Sequence, residues 1–171
     1  MIDPFGALGF PKRFDLDPTA VRTAHLRRTA VAHPDRLAEP LARAEAERVL
    51  AELNEARDLL LDDERRANAL LAALGGAPPE ADRSLPDGFL IEVLEIREWM
   101  EDALGSRDPA RRTEVEAWAD TRRRDYRAQV AACFERLIAA GDTVDAASHA
   151  TDIRTLLNAW RYIERMIEQL A

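Results

Sequence analysis

DPTAVRTAHLRRTAVAHPDRLAEPLARAEAERVLAELNEARDLLL, residues 17–61, reads as two helices joined by a short turn. Asp17 supplies an N-cap, and Pro18 occupies the first helical position, where its missing N–H costs nothing. The helix that starts there runs to about Ala32 and must stop at His33-Pro34, because proline disfavours the helical region for the residue before it and removes a donor. A second helix begins near Pro40, with Val49, Leu53, Ala56 and Leu60 at three- and four-residue spacing. The expected unit is an antiparallel helical hairpin with His33-Pro34-Asp35 in its turn.

Outward from the hairpin, ERRANALLAAL follows Asp62-Asp63 as a shorter helix ending at Gly75-Gly76. The run GGAPPEADRSLPDG is too rich in Gly, Pro and polar residues for regular structure, so a domain boundary falls there. Residues 1–76 are read as one domain, 77–88 as a linker and 89–171 as a second domain. Three helices are expected in the second, at about 88–104, 109–140 and 148–171. Val115, Trp118, Arg122, Tyr126, Val130, Cys133 or Phe134, and Leu137 form one apolar stripe; Ile153, Leu156, Leu157, Trp160, Ile163 and Ile167 form another. These stripes predict a three-helix bundle, and the chain as a whole is expected to be all-α.

Composition agrees with a helical globular protein: 171 residues, 47% hydrophobic and 33% charged, with only seven glycines. A net charge of -8 argues against a general nucleic-acid binder, which needs a basic surface to displace counterions. The charge is uneven, since residues 1–36 carry six Lys/Arg against four Asp/Glu and residues 37–64 carry three against nine. A lone Cys133 can form neither an internal disulfide nor a zinc site, which points to a reducing compartment. No stretch reaches the length of a membrane span and the N-terminus does not read as a signal peptide, so cytoplasmic residence is expected.

His33-Pro34-Asp35 between two helices resembles the turn of a J-domain. The resemblance extends to the entry segment PFGALGFPKRFDLDP, to LNEARDLL at 53–60 with Asn54, Glu55 and Ala56 in the family's places, and to ERRANALLAALG as the short fourth helix. It implies that His33, Pro34 and Asp35, with a basic face formed by Arg22, Arg27, Arg28 and Arg36, dock on a DnaK-type (HscA-like) chaperone and trigger its ATPase. The whole chain is similar to HscB, the J-type co-chaperone family of iron-sulfur assembly, whose C-terminal bundle binds an IscU-like scaffold. In FLIEVLEIREWM at 89–100, Leu90, Ile91, Leu94, Glu95, Arg97 and Glu98 fall where that family's scaffold contacts lie.

Helical geometry supports that assignment independently. At 100° per residue Phe89, Val93, Ile96, Met100 and Ala103 share one face and form the core stripe, so Leu90, Ile91 and Leu94 point elsewhere, among Arg97, Glu98 and Glu101. Aliphatics displayed among charges fit a partner site.

The chain departs from the family at Ala32, His25 and Arg28, where larger apolar residues are usual. His25 is read as half-buried packing and Arg28 as snorkelling along the helix interface. By the resemblance, a scaffold-binding aromatic of the last helix is either replaced by Asn158 or shifted, and Tyr162, one turn on and off the core stripe, can substitute. The chain also lacks the N-terminal cysteine pairs of some eukaryotic relatives, which fits a bacterial type. His25, His33 and His149 have no metal-ligand spacing, and no nucleophile-base pair or glycine-rich phosphate loop exists, so neither enzyme activity, cofactor nor metal is expected. The alternative reading is a J-domain co-chaperone for a different client.

Overall fold

The structure, a computed structural model, describes residues 2–32, 40–106, 108–141 and 143–170. These residues are all-α and fall into two units, Met1–Leu74 and Gly75–Ala171.

The first unit contains α1 (Pro4–Leu8), α2 (Pro18–Val31), α3 (Pro40–Leu61) and α4 (Asp63–Ala73). Asp3, Asp17 and Asp62 each cap a following helix. Asp17 Oδ1, for example, accepts the Thr19 N–H at 2.9 Å, satisfying a donor with no partner inside the helix. The core gathers Phe5, Val21, Leu53, Ala56, Leu60, Leu70 and Leu71, with Val49 at its margin.

His25 is more deeply buried than half-buried packing would have it, at 7% exposure. Its Nε2 lies 2.8 Å from Asn54 Oδ1, so the imidazole N–H donates across α2 and α3. Arg28 stays exposed, and its guanidinium reaches the end of α1. There Gly9 takes a left-handed φ of 77°, and a Cβ at that position would meet the guanidinium. A cation at a helix C-terminus is favoured by the exposed carbonyls.

Arg66 is 2% exposed and fully engaged. Its Nε donates to the Phe14 carbonyl at 2.8 Å, one Nη donates to the Leu60 carbonyl at 2.6 Å, the other pairs with Asp63, and the guanidinium lies 4.8 Å above the Phe14 ring. A buried charge is tolerable only with its donors satisfied.

The second unit is a three-helix bundle of α5 (Phe89–Gly105), α6 (Pro109–Ala140) and α7 (Val144–Leu170). The last helix begins at Val144, four residues before the expected start near 148. Thr143 accepts the Ala146 N–H at 3.1 Å, and the acidic Asp145 suits the first turn.

Several stripe positions also differ from expectation. Ala119, four residues after Val115, takes the buried place, while Trp118, Arg122 and Cys133 sit at the margin and Phe134 is the buried one of its pair. A wide indole fits the edge, where Trp118 meets Trp99 at 6.1 Å, better than the narrow α6 seam. Leu156 is likewise half-buried.

Arg123 grips Glu164 through two nitrogens at 2.9–3.1 Å, and the Trp160 indole N–H adds a bond to the same carboxylate at 3.2 Å, tying α6 to α7. The backbone of residues 77–84 is fastened to α7. Arg154 Nε donates to the Ala77 carbonyl at 2.9 Å, and Asn158 Nδ2 donates to the Asp82 and Ser84 carbonyls at 3.0 Å. Arg154 is buried, and that burial pulls its pKa down.

Arg66→Ala strands two buried carbonyls and should destabilise the first unit by about 3–5 kcal/mol in denaturant unfolding; an unchanged midpoint contradicts the role given to Arg66. Burial also pushes the Tyr126 phenol, stacked on Trp160 at 6.2 Å, up to about 12. Because the folded value lies above the ordinary value of about 10, the neutral phenol stabilises the second unit fully below pH ~10, and that contribution is lost as pH rises towards 12. A phenolate absorbance titration of Tyr162→Phe, which leaves one tyrosine, should show it; titration at the ordinary value counts against it.

Candidate functional site

α5 starts without a side-chain cap, from Gly88 at a left-handed φ of 75°. Phe89, Val93, Met100 and Ala103 are buried in the bundle, with Ile96 at the margin. Leu90, Ile91 and Leu94 stand 53%, 67% and 61% exposed. Glu95, Arg97 and Glu98 are exposed around them. Arg97 Nε donates to Glu101 at 2.9 Å, and that carboxylate holds the guanidinium above its ordinary pKa. Tyr162 on α7 sets its ring edge-on to Phe89 at 5.7 Å while remaining exposed.

Tyr162 and Arg97 meet in a groove of about 200 Å³ that Val93, Arg165, Met166 and Gln169 complete. Ile91 lies 100° beyond Leu90 on the wheel and about 120° from Arg97, away from that groove. Arg165, Met166 and Gln169 were not singled out from the sequence. The available signal was their place on α7, three to seven residues beyond Tyr162. Asn158, the position read as replacing an aromatic, is instead committed to the backbone of residues 82–84.

In the first unit, His33, Pro34, Asp35 and Arg36 lie outside the described residues. Arg22, Arg27 and Arg28 are exposed, but at 100° per residue they spread around α2 rather than forming one face. Leu26 and Val31 on α2 and Leu41 on α3 are exposed apolar residues that sequence reading passed over. Among the described residues no group of three or more His, Cys, Asp or Glu is placed to hold a metal ion.

Residues 85–171 match the family model described as the HSCB C-terminal oligomerisation domain. A protein of Bordetella pertussis named co-chaperone protein HscB homolog is 30% identical over 172 residues, covering 99% of this chain and 94% of its own length. The chain belongs to the HscB co-chaperone family. Human co-chaperone protein HscB shares the fold with a TM-score of 0.80 at 20% identity, over 99% of this chain and 81% of that one. The HscB chaperone of Vibrio cholerae is 25% identical with a TM-score of 0.67, covering 99% and 100% of the two chains. The HscB relatives are named co-chaperones, proteins that act with a chaperone partner.

Because the α5 aliphatics of this HscB family member face outward, Leu90→Ala, Ile91→Ala and Leu94→Ala combined should cost little stability. Surface substitutions stay within about 0.5 kcal/mol each, against about 2–5 kcal/mol for a buried leucine. Thermal melting monitored by circular dichroism distinguishes the two, and a collapsed transition contradicts the exposed placement.

Proposed function

We propose that this co-chaperone stimulates the ATPase of a DnaK-type, HscA-like chaperone and delivers to it an IscU-like iron-sulfur scaffold protein. The observation that carries the reading is the display of Leu90, Ile91 and Leu94 on α5, a helix whose core stripe is already satisfied. Covering apolar surface gains about 25 cal/mol per Å², so such a cluster is best explained by a partner that removes it from water. Glu95, Arg97, Glu98 and Tyr162 supply the polar rim that fixes register and partner choice.

The chaperone contact is assigned to the other end of the chain. There His33, Pro34, Asp35 and Arg36 lie in the sequence between α2 and α3, and Arg27 and Arg28, about 100° apart on α2, provide cations for an acidic docking surface, with Arg22 on another side of the helix. The exposed Leu26 and Val31 add apolar area beside them. Hydrolysis takes place in the partner; this chain contributes contacts and no catalytic group. Residues 1–76 and 89–171 then carry separate tasks, with 77–88 between them. The proposed setting is the cytoplasm, and no described helix is long and apolar enough to cross a membrane.

His33→Gln should abolish stimulation of the chaperone's steady-state ATPase while melting stays unchanged; a well-folded variant that stimulates fully sinks the J-domain assignment. The combined Ala variant at 90, 91 and 94 should lose scaffold affinity by about 1–2 kcal/mol per anchor, not strictly additively. ATPase stimulation in the absence of scaffold should survive it. Scaffold binding unchanged in calorimetry refutes the client assignment.

A further inference from the structure

We infer that the groove between α5 and α7 is a carboxylate-reading extension of the client surface, with Arg165 as its specificity-determining residue. The inference rests on the reading that α5 carries the client. The groove's floor is apolar, from the buried Val93 and Met166, and its rim is Arg97, Tyr162, Arg165 and Gln169. Its volume of about 200 Å³ lies below the roughly 300–1,000 Å³ of pockets that enclose small molecules, so it suits a protruding side chain rather than a cofactor.

Charge decides which side chain. The protein carries a net charge of -8, yet two guanidiniums and, among the described residues, no carboxylate line this groove. Arg97 is already engaged by Glu101. Arg165 is exposed and makes no hydrogen bond or ion pair with any described residue, unlike its neighbours on α7: Arg161 pairs with Glu168 and Glu164 with Arg123. An unneutralised guanidinium at the mouth of an apolar groove complements a carboxylate, which it can hold through two parallel hydrogen bonds. Leu94 and Arg97, three residues apart, are neighbours on α5, so the groove is continuous with the aliphatic patch. The occupant is therefore one segment of the client that covers Leu90 and Leu94 and places an aliphatic residue, with an adjacent Asp or Glu, between Tyr162 and Arg165.

The test is calorimetric titration of the full chain with purified IscU-type scaffold at low and at physiological salt. Arg165→Glu should weaken binding about tenfold or more, as expected for a lost charge-assisted bond, and should flatten the salt dependence. Arg165→Gln should lose less, Arg165→Lys least, and all three should melt as the parent does. Should the Glu variant fail to fold, the Gln variant carries the test. Unchanged affinity and salt dependence in the Arg165 variants, with binding lost on replacing Leu90, Ile91 and Leu94, overturns this inference and leaves the client reading intact. Scaffold binding that survives every one of these substitutions overturns both.

Discussion

A helix in a three-helix bundle can bury only one stripe of its circumference, and the arrangement of the second unit depends on that constraint. α5 commits Phe89, Val93, Met100 and Ala103 to the interior. Any further aliphatic on the same helix must face water, which is where Leu90, Ile91 and Leu94 stand. They are not an accident of loose packing. The surrounding bundle is cross-tied by Arg123 with Glu164, by Arg122 with Glu92 and by the Trp99–Trp118 edge contact, all on other sides of α5 or on its partners.

The same bundle fixes where the exposed helix begins. Arg154 and Asn158 fasten the backbone of residues 77–84 to α7, so the chain reaches Gly88 from a defined direction although the segment has no helix of its own. Asp82 reinforces that path by accepting the Ser84 N–H at 2.8 Å, and the bonds with Ser84 hold its carboxyl below the usual range. A rigid support of this kind lowers the ordering cost of binding, because the patch is already in place.

The first unit shows how a J-like domain accommodates polar residues where apolar ones are usual. His25 is buried but exchanges hydrophobic packing for a hydrogen bond to Asn54, and Arg28 lies along the surface to the carbonyl end of α1. Arg66 does the remaining joining, since its guanidinium bonds the loop at Phe14, the end of α3 at Leu60 and the start of α4 at Asp63. A fork of donors in one plane can serve two backbone carbonyls and a carboxylate at once, which no aliphatic side chain could.

Much was legible in the sequence because it depends on near neighbours. The Asp17-Pro18 start, the apolar spacing in α3 and α5, and the exposure of Leu90, Ile91 and Leu94 all follow from capping chemistry and the 3.6-residue period. Three things were settled only by tertiary structure. Arg66 and Arg154 are buried and Arg165 is exposed with no partner among the described residues, although by type all three are arginines on helices. Asn158 holds backbone instead of a partner, and Ala119 rather than Trp118 enters the α6 seam. The reason is common to them. Whether a charge or amide is neutralised depends on groups 41 to 77 residues away in the chain, as between Arg123 and Glu164 or Arg154 and Ala77, and no local periodicity records which distant group arrives.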